Sequence, residues 1–210
     1  MKPQFKKRYY RNLFTWKELE NLINIRPLLT DKRVYILESG KNYEWGNSLW
    51  AKDRNCYPPS LFKELLDNHV CYLDDMSRCT EKINSFASKL EKEYKLSVDA
   101  HIYICRRPKI DHPFGKHFDR SHNVIVQCEG TTNFKVWNRV LNGQDPNVIS
   151  DNLDLNDPPI LDVDMKPGDA IWIPAYYPHL ATSKSIRMSV SFPLGLEPDP
   201  PYEDRTWIKL

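Results

Sequence analysis

Three of the chain's six histidines stand within twelve residues, "HPFGKHFDRSHN" (112–123), together with one aspartate. A solvated polar loop, a histidine cluster serving the fold, or a metal site would each use such a stretch. Residues two apart in an extended chain project to the same side, so His117 and Asp119 stand together with Phe118 turned away. An imidazole beside a carboxylate covers one edge of a divalent metal. Sixty residues beyond Asp119, "PGDAIWIPAYYPHLA" supplies His179 at the end of a strand that follows a tight Pro-Gly-Asp turn. Two histidines and one carboxylate make the facial triad that leaves open positions on a non-haem iron. An HxD pair alone is common by chance. Joined to a distal histidine, a PGD turn and a β-rich second half, it is far more specific.

The elements that must position these side chains are legible in outline. "TWKELENLI" begins with Thr15 three residues ahead of Glu18, a capping-box start to a short amphipathic helix. "RVYILES" reads as a strand, and "PPSLFKELLDN" sets two prolines ahead of a helical pattern. In "CTEKINSFASKLEKEYK", Ile83, Phe86, Ala87, Leu90 and Tyr94 recur at helical spacing. From residue 98 the texture changes to short β-rich runs: "AHIYICR", "KHFDR", "NVIVQCE", "NFKVWN", "AIWIPA" and "RMSVSFP", with turns at "EGTTN", "LNGQDPN" and "KPGD". Several short strands with regular turn signals predict a mainly β sandwich or barrel with helices flanking it. The expected division is 1–97 as a helical and mixed front part packing on the core, 98–193 as the β core, and 194–210 as an extended arm, one structural domain overall. Trp207 and Ile208 in that Pro-rich arm suggest docking on the core or on a second subunit, so a homodimer through the arm is a further expectation.

Composition narrows the class. A chain of 210 residues can bury one sizeable core. Its 40% apolar and 28% charged content is ordinary for a soluble globular protein, and a net charge of +2 gives no broad polyanion-binding field. The five cysteines, Cys56, Cys71, Cys79, Cys105 and Cys128, are odd in number and show no CxxC spacing. That argues against a disulfide framework and a structural zinc. No apolar run reaches the ~18 residues of a membrane span, and the N-terminus lacks the apolar stretch of a secretion signal. A cytoplasmic protein without a membrane partner is expected. The first eleven residues hold Lys2, Lys6, Lys7, Arg8 and Arg11 without an acid, among Phe5, Tyr9 and Tyr10. Such a mixture suits nucleic acid or an acidic partner, yet a frayed, solvated terminus is the expected state. No nucleic-acid partner is expected.

The segments "HFDRSHNVIVQCEGTTNFKVW" and "KPGDAIWIPAYYPH" resemble the JmjC and cupin-like family of Fe(II)/2-oxoglutarate oxygenases, over about residues 98–193. That family includes the asparaginyl hydroxylase acting on hypoxia-inducible factor and the bacterial ribosomal oxygenases. The shared positions are His117, Asp119, Asn123, Gln127, Gly130 and Trp137, then Pro167, Gly168, Asp169, Pro174, Tyr176 and His179. The resemblance implies a double-stranded β-helix, the cupin or jelly-roll core, with Fe(II) held by His117, Asp119 and His179. It also implies 2-oxoglutarate and dioxygen as co-substrates, with decarboxylation coupled to attack on a C–H bond. Hydroxylation of a protein side chain is the first expectation. Hydroxylation of an amino acid or metabolite is the second, and a non-catalytic cupin that binds a partner is the third.

The distal carboxylate of 2-oxoglutarate needs a buried cation, or its charge is stranded. The JmjC-like branch places a lysine or arginine on the strand after HxD, and this chain has Thr132 there, a hydroxyl that cannot neutralise charge. Lys135 lies at an odd offset and faces away. In "SIRMSVSF", Arg187, Ser189 and Ser191 alternate with Ile186, Met188, Val190 and Phe192, the pattern of a strand lining a polar pocket. Other branches of the superfamily use an arginine after the distal histidine, often as RxS, and "RMS" matches. A guanidinium binds a carboxylate bidentately. Arg187 is therefore the expected anchor, with Thr132 and Asn123 as hydrogen-bond partners, Ser189 on the same wall and Tyr103 as a further pocket residue. His112 and His122 lie at the rim, where a solvated loop is the preferred reading, and His69 and His101 carry no signal. Phe114, Tyr176, Tyr177 and Trp172 could shape the pocket, although core packing explains Trp172 equally well.

Overall fold

The computed structural model describes residues 2–24, 34–38, 41–42, 59–106, 110–111, 114–145 and 147–195. Cys56, His112 and the arm from residue 196 onward lie outside them. In chain order the elements are β1 (Gln4–Lys6), α1 (Trp16–Ile23), β2 (Val34–Glu38), β3 (Lys41–Asn42), α2 (Pro59–Asn68), β4 (Val70–Leu73) and α3 (Glu81–Tyr94). Eight strands follow: β5 (His101–Cys105), β6 (Ile110–Asp111), β7 (His122–Glu129), β8 (Thr132–Val136), β9 (Leu161–Met165), β10 (Ala170–Ile173), β11 (His179–Ser183) and β12 (Arg187–Leu194).

Those last eight strands form a double-stranded β-helix. The order β10-β7-β12-β5 makes the major wall and β6-β11-β8-β9 the minor wall, every pairing antiparallel. Apart from β8 and β9, which neighbour each other in the minor wall, consecutive strands alternate between walls, which winds the chain into a jelly roll with a space between the sheets. The first wall is widened by β1 on one edge and by β4-β2-β3 on the other, giving eight strands in all. Gly130 allows the tight turn from β7 to β8. Its φ is +68°, and a Cβ there would lie 1.7 Å from the Ile186 carbonyl oxygen.

Each wall obeys the two-residue period. On β12, Met188, Val190, Phe192 and Leu194 join the apolar layer under the helices, while Arg187, Ser189 and Ser191 face the space between the sheets. The helices are specified locally and held by burial. Thr15 and Thr80 cap α1 and α3 by accepting the N–H groups of Glu18 and Ile83, each at 3.2 Å. In α3, Ile83, Phe86, Ala87 and Leu90 are buried. Lys95, with φ of 57°, closes that helix by donating its N–H to the Glu91 carbonyl at 2.8 Å. A second apolar cluster, including Ile125, Phe134, Val136, Ile171 and Ile173, fills part of the barrel interior. The remainder is the polar space that carries the site.

Three sequence expectations need correction. "KHFDR" is not a strand: only His117 makes a β-bridge, because Gly115 takes φ of +62° and the Phe118 N–H donates to Ser150 in a long loop. His179 begins a strand, β11, rather than ending the one before it. The N-terminus is not frayed, since Gln4–Lys6 pairs with β10. Among the described residues, no helix is long and apolar enough to cross a membrane.

Phe86 joins the helical layer to both the N-terminal segment and β12. Its ring lies edge-on to Phe192 at 4.8 Å and to Tyr10 at 5.0 Å between centroids. Phe86→Ala should therefore lower unfolding free energy by about 3–5 kcal/mol in a denaturant titration. A loss below about 1 kcal/mol would show that the two layers do not meet through this ring.

Candidate functional site

His117 and His179 are paired directly across the minor wall. The His117 N–H donates to the His179 carbonyl at 3.1 Å, and the His179 N–H donates to the His117 carbonyl at 2.7 Å. Two residues that exchange both backbone bonds present their side chains side by side, and here the imidazole centroids are 4.3 Å apart. Asp119 completes the group: one ligand atom from each of the three residues lies within 4.8 Å of the other two. The His179 Nε2 stands 3.7 Å from the Asp119 Oδ2. Phe118 between the HxD ligands is 2% exposed and points away, which anchors the segment.

The protonation pattern follows from the neighbours. The His117 Nδ1 lies 3.0 Å from the Gly115 carbonyl and the His179 Nδ1 lies 3.1 Å from the Tyr177 carbonyl. A carbonyl only accepts, so each Nδ1 donates to its carbonyl, which leaves Nε2 as the ring atom free to serve as a ligand. Burial, with His117 alongside, drives the His179 pKa down to about 4 against the pull of Asp119. Burial would raise the Asp119 carboxyl, but His179, His117, the Asn123 amide and His101 together hold it below its ordinary value. Two imidazoles and one carboxylate are the donor set that a ferrous-type cation takes.

The triad opens into a pocket also lined by Tyr103, Asn123, Ile125, Phe134, Ala181, Arg187, Ser189 and Ser191. Arg187 is 2% exposed, and among the described residues no carboxylate pairs with it. Its Nε has no hydrogen-bond partner, nor do the buried Gln127 Oε1 and Thr132 Oγ1. Burial disfavours its charge, and Cys105 and Tyr103 offset that only in part. A buried guanidinium without a counter-charge fits an anionic ligand.

The other expected residues are placed as follows. Thr132 faces inward opposite Ser183, whose Oγ lies 3.6 Å from the Cys105 Sγ, and Cys105 is in register with Arg187. Thr132 and Arg187 therefore reach one corner of the barrel from different strands. The Asn123 amide donates to the Asp119 Oδ2 at 3.2 Å, and its oxygen accepts from the Ser191 hydroxyl at 2.6 Å. Its polar atoms thus orient the triad carboxylate. Ser189 lines the cavity beside Tyr103, whose phenol is kept neutral by burial and by Asp119. His122 is no loose loop residue: its Nδ1 accepts from the Ala175 N–H at 3.1 Å and its ring stacks on Trp172. Trp172 accordingly packs away from the cavity. Phe114 meets the His117 ring edge-on at 5.6 Å.

The sequence reading missed a cluster beside the site. His101 lies two residues before Tyr103 on the same strand face. Its Nε2 is 2.9 Å from the Asp74 Oδ1 and 3.4 Å from the Asp99 Oδ2. Burial opposes its charge, yet hydrogen bonds to Asp74 and Asp99 outweigh that and raise its pKa to about 9. The alternation in "HIYIC" and the Asp99–His101 spacing could have flagged two of its members; Asp74, 27 residues before His101, could not be read this way.

A family model described as "JmjC domain" matches residues 69–200. Among solved structures, the crystal structure of Escherichia coli ribosomal oxygenase YcfD is similar, with a TM-score of 0.60 at 17% identity over 94% of this chain and 49% of that one. Structures of YcfD in complex with cobalt and 2-oxoglutarate, and with cobalt and succinic acid, give TM-scores of 0.58 and 0.55 at the same identity and coverage. The chain spans about half the length of these structures, and the likeness shows the fold. No curated protein matches the chain in sequence.

The His101 cluster sets a pH dependence. A raised histidine pKa contributes stability in full below the unfolded value of 6.5 and loses it as pH rises toward 9. Unfolding free energy should fall by on the order of 3 kcal/mol across that window, and His101→Asn should remove the dependence. A flat profile in the parent protein would contradict the ion pair.

Proposed function

The chain belongs to the JmjC domain family, and on that premise we propose that it is an Fe(II)- and 2-oxoglutarate-dependent oxygenase that hydroxylates a C–H bond on a protein side chain. The observation that carries this reading is one cavity with two different ends. A three-donor face, His117, Asp119 and His179, stands at one end, and the counter-ion-free Arg187 stands in its wall. The likeness to a fold seen with cobalt and 2-oxoglutarate supports it.

His117, Asp119 and His179 would hold the metal through two Nε2 atoms and a carboxylate. When bound, ferrous iron and 2-oxoglutarate supply the means to hydroxylate a C–H bond with dioxygen, yielding succinate and carbon dioxide. The chain's own residues bind and orient. Asn123 and Ser191 fix the Asp119 carboxylate. Arg187 would receive the distal carboxylate of 2-oxoglutarate, with Thr132 and Ser189 as hydroxyl partners and the neutral Tyr103 as a further donor. Ile125, Phe134 and Ala181 line the cavity with apolar surface that limits water.

A protein substrate is favoured by the ground around the HxD stretch. The loop after β8 is bonded to that stretch, with the Phe118 N–H donating to Ser150 at 3.0 Å and the Arg120 guanidinium donating to the Gly143 carbonyl at 2.7 Å. On this loop Leu141 is 90% exposed and Ile149 75% exposed. Large apolar side chains displayed on a tethered loop beside the site suit contact with another polypeptide. The second reading, a small-molecule hydroxylase, is favoured by the RxS placement of the arginine on β12.

Anaerobic loading with Fe(II) and 2-oxoglutarate followed by air should yield succinate, and His117→Ala should abolish it. Arg187→Ala should raise the apparent KM for 2-oxoglutarate by more than about thirtyfold, as expected for truncating one partner of a buried charge pair. An unchanged KM would remove Arg187 from the assignment. A protein substrate is checked by a +16 Da mass gain on a peptide after incubation with lysate, absent with His117→Ala.

A further inference from the structure

The basic N-terminal stretch is built into the fold. β1 pairs with β10 through Gln4, Phe5 and Lys6, and the Tyr10 N–H donates to the Gly168 carbonyl at 3.0 Å. Asp169, 6% exposed, staples two turns together. Its Oδ1 accepts from the Arg8 N–H at 2.9 Å and its Oδ2 from the Lys166 N–H at 3.0 Å. Arg8 and Asn12 hold φ of 51° and 55°, so the stretch folds back on itself rather than running on as a strand. Gly168 holds φ of +92°, a turn conformation that a side chain would strain.

The clamp gathers charge. Lys2, Lys6, Lys7, Arg8, Arg11 and Lys166 are all exposed, and among the described residues none of them forms an ion pair with a carboxylate. Asp169 has both oxygens engaged by backbone N–H groups, and Asp164 is held by Lys184 at 2.7 Å. The aromatic residues of the stretch turn inward: Phe5 packs on the barrel core, and Tyr9 and Tyr10 pack on Phe86. What remains outside is cationic surface on a fixed backbone, without apolar anchors. Insertion into a bilayer calls for apolar side chains, and the buried centre of a protein interface is depleted of charge. A chain of phosphodiesters needs neither.

We propose that the turn 7–11, clamped to the turn 166–169, is a platform for the phosphodiester backbone of nucleic acid. The fold has already ordered the backbone, so binding need order only the side chains. The patch runs against the overall charge of +2, which averages it away.

Fluorescence anisotropy of a labelled RNA hairpin and a labelled DNA duplex against the full chain, across a salt series, tests this. Binding should weaken steadily with salt. The triple variant Lys7→Glu, Arg11→Glu, Lys166→Glu should weaken it by at least about tenfold and flatten the log–log salt slope by about 2–3. A control of equal net charge, Lys63→Glu, Lys92→Glu, Lys135→Glu, should keep the parent slope, and both variants should melt like the parent. If the first triple does not fold, Lys2→Gln with Lys7→Gln, both on exposed side chains, should still weaken binding at least about twofold. No binding at low salt, an equal loss in the control, or stronger binding to phosphatidylserine vesicles than to either nucleic acid would overturn the proposal. Succinate formation should be unaffected by the triple variant, so this test and that of the oxygenase reading fail independently.

Discussion

The site depends on one backbone pairing, the two hydrogen bonds exchanged by His117 and His179. The HxD stretch is neither helix nor strand; bonds from the loop after β8 tether it, and this pairing sets its register against β11. The pairing matches two residues 62 apart in sequence and aligns their Cβ atoms on one face of the minor wall. Register in a sheet is strict, since a slip of one residue turns every side chain to the opposite face. The pairing is in turn held by the ladder of β11 with β8, which runs from His179–Val136 to Ser183–Thr132. A metal geometry is thus a consequence of strand register.

The barrel interior then divides between two physical demands. One part is filled by Phe134, Val136, Ile171 and Ile173 and supplies cohesion. The other is lined by polar groups, several of them buried without partners. Burying Arg187 in this way is unfavourable for the isolated chain, because a desolvated charge needs a counter-charge. The opposite face of the same strand offsets this cost. Met188, Val190, Phe192 and Leu194 are each fully buried against the helical layer. β12 therefore joins stability to function in alternate residues, which is why all eight of its residues are buried although half a strand usually meets water.

Legibility followed the range of the signals involved. The capped helices and β12 could be read because their patterns are local: Thr15 and Thr80 bond three residues ahead, and Arg187, Ser189 and Ser191 alternate with apolar neighbours. β9 and β11 were missed. "LDVDM" alternates but sits on an edge with exposed aspartates, and "HLATS" is short and only half apolar. The His101 cluster was only half legible, because Asp99 stands two residues before His101 while Asp74 reaches it from 27 residues away. The N-terminus misled for a similar reason. Its basic sequence reads as solvated, and only the distant Asp169 shows that two turns are stapled there.

Thr132 shows what a barrel does and does not constrain. A family pattern read by column asks for a cation at that position and finds a hydroxyl. The requirement itself is electrostatic, a positive charge at one inward corner, and several inward-facing positions on neighbouring strands can deliver it. Thr132 reaches the corner from β8, and Arg187 reaches it from β12 by way of the Ser183 and Cys105 contacts. Two cations there would repel each other in a low-dielectric space, so in the proposed role an arginine on β12 would stand in place of one on β8. The unpartnered Thr132 hydroxyl, separated from the single guanidinium by the Ser183–Cys105 contact, fits that proposed exchange.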